Sequence, residues 1–171
     1  MKDSNSKLII YELNEVPLKL LDYYIKKKPN STFAEIYNKG LTFNTFTRDS
    51  GELHPWSTWP TVHRGVINDF HNIRYINQDL ICADKYPPVW EILIKSSISI
   101  GIFGSLQSYP PLKGEHVNFY VPDTFAPFPD TYPQDLERFQ DFNLHMAGDN
   151  KAIASRISIN SISKFINLLT D

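Results

Sequence analysis

The sequence has little cysteine, little glycine and no long apolar run. Among its 171 residues there are one cysteine and 7 glycines. The single thiol, Cys82, excludes an internal disulfide and, with no neighbouring cysteine or histidine, gives little support for a metal site. No segment approaches the ~20 apolar residues of a membrane span, and the start, MKDSNSKLII, lacks the apolar core of a signal peptide. We therefore expect a cytoplasmic protein.

Charge of neither sign is in large excess. The 17 basic and 19 acidic side chains give a formal net charge of -2, which offers no electrostatic reason to expect nucleic acid or a membrane as partner. A hydrophobic fraction of 42% over this length is enough for one domain with a real core. With 12 prolines and 13% aromatic residues, the composition is typical of a packed domain with long, stiff loops.

The apolar pattern of the first hundred residues alternates between strand and helix signals. Residues 7–13 form a short, branched apolar run that is typical of a buried central strand. Helical spacing then extends from Pro17 to Pro29, and a second helix is predicted at 31–40. The pattern further predicts a strand at 41–47, a loop within 55–66 that leads into a short helix ending near Gly65, a helix opened by Pro87 and Pro88, and a strand at 98–103. This order predicts crossover connections on a largely parallel sheet with flanking helices, which is an α/β fold.

Beyond Gly104 the alternation of strand and helix signals ends. A proline-rich connection contains one short strand at 117–121, and helices are predicted at 134–146 and 152–169. The last core strand ends at 103, whereas a doubly wound sheet normally has four or more strands. We therefore predict one truncated domain over residues 1–171. It comprises a partial doubly wound core at 7–104, followed by a proline-rich loop and helical extension at 105–171.

Three polar residues follow the first predicted strand. Glu12, Asn14 and Glu15 stand at its carboxyl end, where open parallel sheets bind ligands. Carboxylate and amide oxygens are hard ligands for divalent cations. The alternative is that Asn14 and Glu15 cap the helix that follows, and the residues alone leave both interpretations open.

A second polar cluster covers residues 50–66, SGELHPWSTWPTVHRGV. A hydroxyl at a helix start has its alkoxide stabilised by the helix dipole and by free N–H groups, which also bind phosphate oxygens. Thr58 and Ser57 are therefore candidate nucleophiles, although hydroxyl residues at such positions more often serve as caps. No glycine-rich phosphate loop or zincin motif is present. The isolated histidines are interpreted as surface or satisfied core residues; they are His71, His116 and His145.

Four segments, in order, carry a family resemblance. They are LIIYELNEVP, PWSTWPTVHRGV, PPVWEILIKSSISIGIFGSLQSYPP and FYVPDTFAPFPDTYPQDLERFQDFNLHM. Over most of the chain they resemble the amino-terminal part of the type I phosphodiesterase and nucleotide pyrophosphatase branch of the alkaline phosphatase superfamily. The resemblance implies hydrolysis of phosphate mono- or diesters, or of sulfate or phosphonate esters, on a small molecule or a glycan. It also implies a threonine or serine nucleophile and two divalent metals, usually zinc.

The resemblance implies a metal-ligating role for the end of the first predicted strand, with one departure. The family has an aspartate where this chain has Asn14. A neutral amide binds a dication more weakly than a carboxylate does. Either Glu12 or Glu15 therefore substitutes for that aspartate, or the metal site is altered.

The implied nucleophile is Thr58, with Ser57 as second choice. Thr58 stands two residues before Pro60, as in the family, but Gly65 follows sooner than the family spacing, and ungapped alignment from Gly65 puts Pro55 at the nucleophile position. The family's other metal ligands come from its carboxyl-terminal half. We therefore expect an incomplete metal site and little or no activity in the isolated chain. Two alternatives remain open: a non-catalytic member that binds a glycan, a phosphorylated ligand or a partner, and a fragment with no independent function.

Overall fold

The computed structural model describes residues 7–76, 78–149 and 159–170. The chain divides into two compact units, Met1–Phe46 and Thr47–Asp171. Helices make up most of the regular structure of the described residues, and two strands form a small sheet. The elements are α1 (Leu18–Lys27), α2 (Thr32–Lys39), α3 (Pro55–Arg64), α4 (Asn68–His71), α5 (Val89–Lys95), β1 (Ile100–Phe103), β2 (Val117–Val121), α6 (Glu137–Asp149) and α7 (Ile159–Leu169), with 3-10 turns at Leu80–Ala83 and Gln134–Leu136.

The first unit contains the two helices predicted there. Helix α1 begins after Pro17, whose ring fixes φ at -66°. The side-chain oxygen of Ser31 caps α2 by accepting a hydrogen bond from the Ala34 N–H at 3.2 Å. The rings of Tyr24 and Phe33 meet edge to face with centroids 6.2 Å apart and join the two helices. Both helix predictions are confirmed.

The strands predicted at residues 7–13 and 41–47 are not formed. Neither segment pairs with another strand within the described ranges. Their apolar side chains are exposed, and Ile9 and Leu41 each retain 87% of their full exposure. A strand is stabilised by hydrogen bonds and side-chain pairs with a neighbouring strand, so an apolar run without a partner does not form one. These two predictions were wrong.

The second unit contains a parallel pair of strands, β1 and β2. Ile100 is opposite Val117 and Phe103 is opposite Val121, with an irregularity in the register after Ile100. Strand β2 has the predicted bounds, and β1 comprises the last four residues of its predicted segment at 98–103. The sheet requires glycine at Gly101, because a Cβ there would lie 2.3 Å from the ring of Phe119. The described residues thus form a mixed helix and strand structure with a small parallel sheet, which agrees with an α/β class.

The core of this unit lies between α5 and the sheet. Trp90 from α5 is 5% exposed and packs against Ile100, Val117 and Tyr120 of the two strands. Partly buried apolar side chains close the cluster. Burying each large side chain of this kind contributes roughly 1.5–3 kcal/mol, so this cluster holds α5 on the sheet. Helix α5 starts after Pro88, as predicted.

Helices α6 and α7 confirm the predicted helices at the end of the chain, as far as the description extends. The part of the second prediction at 152–158 lies outside the described residues. Phe142 and Phe165 pack with ring centroids 5.9 Å apart, and Lys164 forms an ion pair with Asp141. None of the helices in the described ranges combines the length and the apolar character needed to cross a membrane.

Candidate functional site

Helix α3 carries the hydroxyl groups singled out in the sequence. Pro55 occupies its first position, where a backbone N–H would have no acceptor within the helix, so the lack of one costs nothing. Pro60, inside the helix, cannot donate to the carbonyl of Trp56, and the side-chain amide of Gln107 donates to that carbonyl instead, at 3.3 Å. Gly65 ends the helix with a left-handed φ of 67°. The helix therefore ends where predicted, but it fills most of the segment that was predicted to begin as a loop.

The same helix contacts the chain at the carboxyl end of strand β1. Ser105 follows β1, and its Oγ lies 3.3 Å from the Nε2 of His63 on α3. His63 is 6% exposed, and its ring centroid lies 5.8 Å from that of Trp59 and 5.0 Å from that of Trp90. Open parallel sheets bind their ligands at the carboxyl ends of the strands. Helix α3 therefore stands at the edge of the sheet where a site is expected.

The two candidate nucleophiles differ in their surroundings. Thr58 is half-buried, and its hydroxyl donates to the carbonyl oxygen of His54 at 3.1 Å, within the first turn of α3. Ser57 is 1% exposed, and its Oγ accepts a hydrogen bond from the side-chain amide of Asn68 at 3.3 Å. A substrate reaches a half-buried hydroxyl more easily than a buried one. This arrangement favours Thr58 over Ser57.

A hydrogen-bonded network joins α3 to the loop before it and to α4. The Thr61 hydroxyl lies 2.8 Å from both carboxylate oxygens of Asp49 and 3.0 Å from Nε2 of His71. The same carboxylate accepts the backbone N–H of Asn68 at 2.9 Å. Because three segments share one carboxylate, the network fixes the orientation of the helix that carries Thr58.

The hydrogen bonds assign the tautomer of His71. Its Nδ1 accepts the backbone N–H of Ile73 at 3.0 Å, so the proton of the neutral ring is on Nε2. That N–H donates to Thr61, whose own hydroxyl proton goes to Asp49. Burial lowers the pKa of His71 to about 4, and the attraction of Asp49 only partly opposes this effect. The interpretation of this histidine as a satisfied core residue is confirmed.

The free energy of unfolding is expected to fall as the pH is lowered from about 6.5 towards about 4. The pKa of His71 is about 4 in the folded chain against 6.5 ordinarily, so between these values the unfolded chain binds a proton that the folded chain does not. Stability therefore falls with falling pH, by on the order of 1–3 kcal/mol. Urea unfolding at several pH values measures this slope.

A matched pair of variants isolates the histidine responsible. His71→Gln is expected to flatten the slope, because the titrating ring is removed. His116→Gln removes a half-buried imidazole elsewhere in the unit and serves as the matched control. Equal slopes in the parent and in His71→Gln would show that this ring does not set the pH dependence.

The loops after β1 and β2 are tied together by a buried carboxylate. Asp123 is 5% exposed and accepts the backbone N–H groups of Gln107 at 2.9 Å and Phe125 at 2.8 Å. Burial raises the pKa of Asp123, while these backbone hydrogen bonds act in the opposite direction. The carboxylate of Asp123 thus fixes the backbone of Gln107. The side chain of Gln107 in turn donates to the Trp56 carbonyl of α3, which has no donor from Pro60.

The proposed metal-binding residues lie in the first unit. Asn14 and Glu15 form a turn in which Glu15 has a positive φ of 53°; both are exposed, and Glu12 is half-buried. The residue at the N-cap position of α1 is Pro17, which has no side chain that could cap the helix. The oxygen donors of Glu12, Asn14 and Glu15 suit a divalent cation chemically. Among the residues that the structure describes, no cluster of three or more His, Cys, Asp or Glu side chains could hold a metal ion.

The structure shows contacts around α3 that the sequence analysis did not predict. The contact of Ser105 could have been noticed, because this residue stands two positions after a strand predicted to lie in a parallel sheet. Asp49, Thr61 and His71 are distant in sequence, and no spacing rule connects them. Their association is a property of how α3 and α4 pack.

Comparison with known proteins provides no relative. No protein-family model, no curated protein and no solved structure matches the chain. The resemblance to the alkaline phosphatase superfamily therefore rests on the sequence motifs alone.

Proposed function

We propose that this chain is the amino-terminal portion of a metal-dependent hydrolase that cleaves phosphate esters, or the related sulfate or phosphonate esters. Thr58 would be its nucleophile, and divalent metals, usually zinc in the family, its cofactors. The proposal includes an alkaline phosphatase-like, doubly wound fold for the complete domain, a cytoplasmic location and a small-molecule or glycan ester as substrate. It also includes little or no activity for the chain by itself.

The observation that carries the proposal is the position of the Thr58 hydroxyl. It is half-buried in the first turn of α3, a helix whose last turn contacts the chain after β1 through His63 and Ser105. The positive end of a helix dipole favours an alkoxide and an anionic ester at this place. Thr61, bound to Asp49, supports the orientation of the same helix.

The reaction at Thr58 would proceed in two steps. Its Oγ1 forms a bond to phosphorus while the bond from phosphorus to the ester oxygen breaks, and the alcohol leaves with a proton. Water then attacks phosphorus, the bond from phosphorus to Oγ1 breaks, phosphate is released and the Thr58 hydroxyl is regenerated with a proton from that water. Before the first step the hydroxyl must give up its hydrogen bond to the carbonyl of His54, which lies 3.1 Å away.

The metal would be held by residues of the first unit. A divalent cation would supply positive charge that favours an ionised nucleophile and neutralises ester oxygens. Glu12, Asn14 and Glu15 are the residues proposed to hold it. The two carboxylates among them provide the charge that the neutral amide of Asn14 lacks.

A second candidate function is binding without catalysis. It is favoured by Asn14, which replaces a carboxylate in the motif, and by the Thr58 hydroxyl, which donates within its own helix. Such a protein would keep the fold and bind a glycan, a phosphorylated ligand or a partner. It would bind the ester and release it unchanged.

Turnover of model esters distinguishes the two functions. The protein expressed from its complete reading frame is incubated with p-nitrophenyl phosphate, bis-p-nitrophenyl phosphate and p-nitrophenyl sulfate, with zinc or with a chelator. We expect zinc-dependent release of nitrophenol from at least one ester, and an acid-quenched adduct on Thr58 in the peptide mass spectrum. Binding of an ester without release or adduct would favour the non-catalytic function.

A further inference from the structure

Helix α7 exposes an apolar stripe along its whole length. The stripe consists of Ile159, Ile162, Ile166 and Leu169, which retain between 48% and 86% of their full exposure. The intervals of three, four and three residues are those of alternating a and d positions in a heptad, so all four side chains fall within about 80° of the helix circumference. These four residues are called the outer stripe.

The opposite face of α7 packs on α6. Ser161 is 5% exposed, and its Oγ lies 3.1 Å from Nε2 of His145 on α6. Lys164, one turn later on α7, forms an ion pair with Asp141 of α6. These contacts fix the orientation of α7 and direct the outer stripe away from α6.

Charge is nearly absent from α7. Lys164 is the only charged side chain of the helix, and Asp141 pairs with it. A helix that lies on an anionic membrane carries several Lys or Arg side chains on its polar face, so this composition disfavours a lipid surface as the partner. Two copies of α7 can instead approach each other without repulsion between like charges. The other polar residues of the helix are uncharged; they are Asn160, Ser161, Ser163 and Asn167.

The spacing of the outer stripe favours another helix as its partner. Side chains at a and d positions insert into the holes between side chains of a facing helix. In a two-fold dimer both chains present the same surface, and an uncharged, aliphatic stripe is complementary to itself. Covering the exposed parts of the four side chains would remove roughly 500 Å² from water on each chain, and the resulting total of about 1,000 Å² is the least that a specific interface needs.

We propose that the outer stripe is a homodimer interface, in which α7 of one chain packs along α7 of a second copy. The four aliphatic side chains of each chain form the buried centre of this interface, and the uncharged polar residues beside them form its rim. Neither Thr58 nor the residues proposed to hold a metal take part. The dimer is therefore independent of the proposed function.

Sedimentation equilibrium of the 171-residue chain tests this interface. We expect the parent chain to show a monomer–dimer equilibrium at micromolar concentrations. In Ile166→Lys the Kd of the dimer should rise at least about 10-fold, which corresponds to ~1.4 kcal/mol, because a charge would be buried in an apolar seam. Ile162→Lys should act in the same direction. Both positions are exposed on a helix and lysine is a good helix former, so circular dichroism of the dilute variants should match the parent.

Two control variants introduce the same charge outside the outer stripe. Ile9→Lys replaces an exposed isoleucine of the first unit, and Asn160→Lys places the charge on another side of α7. Both should associate like the parent. Association that Ile9→Lys abolishes and the stripe variants retain would overturn the proposal, because another apolar surface would then join the copies.

The parent chain also tests the interface without any substitution. On dilution of the isotopically labelled chain, amide chemical shifts should change mainly within Ile159–Leu169. Changes centred elsewhere would overturn the proposal, even where a stripe variant does not fold. A parent chain that stays monomeric would overturn it as well, and binding of that monomer to phosphatidylglycerol vesicles would assign the stripe to a lipid surface instead.

Discussion

Replacement of Thr58 by alanine is expected to lower the rate of ester hydrolysis by on the order of 10³-fold or more. Removing a nucleophile from a covalent mechanism eliminates the first step, and the remaining binding groups supply only a residual rate. The substitution removes a half-buried hydroxyl whose hydrogen bond is to its own helix, so the fold should persist. Steady-state hydrolysis of the best model ester, with the protein from the complete reading frame and zinc present, measures the loss.

Three further variants make this test specific. Thr58→Ser keeps a hydroxyl in the same turn and should retain part of the activity. Ser57→Ala removes a buried hydroxyl that accepts a hydrogen bond from Asn68, so it should affect stability more than turnover. Thr45→Ala, at an exposed position in the first unit, should change neither. Full activity of Thr58→Ala would remove this residue from the mechanism and leave zinc binding as a separate question.

Local sequence signals predicted the helices well and the strands less well. Helix α2 has its serine cap and final glycine in the sequence, and α5 follows a proline pair, so each is specified by neighbouring residues. A strand depends on a partner that local signals do not identify. Residues 100–103 pair with residues 117–121, whereas the apolar residues 7–13 remain unpaired within the described structure. The pattern identified apolar segments, but it did not reveal which of them pair.

The candidate site was predictable to the same extent. A proline at the first helical position and a glycine after the last mark the ends of α3 in the sequence, so they also indicate that the hydroxyl residues stand near its start. The support for that helix was not predictable, because it comes from distant residues. The side-chain amide of Gln107 donates to the carbonyl of Trp56, to which Pro60 cannot donate because it has no N–H. The Thr61 hydroxyl donates to the carboxylate of Asp49. These contacts depend on packing between segments, which spacing rules do not describe.

Packing around Trp90 connects α5 to the sheet and to α3. The indole is 5% exposed in the core cluster, and its ring centroid lies 5.0 Å from that of His63 on α3. A large side chain in this position cannot be removed without leaving a cavity between α5 and the strands. Removal of the indole is therefore expected to weaken the packing of α5 on the sheet.

Trp90→Ala is expected to lower the free energy of unfolding by about 3–5 kcal/mol, from lost burial and the cavity together. Urea unfolding followed by circular dichroism measures this loss without relying on tryptophan fluorescence. Trp90→Phe keeps a ring against Ile100 and Tyr120 and should lose much less. Trp56→Ala removes a half-buried indole that stacks on His54 outside this cluster and provides the matched control. If Trp90→Ala unfolds no more easily than Trp56→Ala, the cluster does not hold α5 on the sheet.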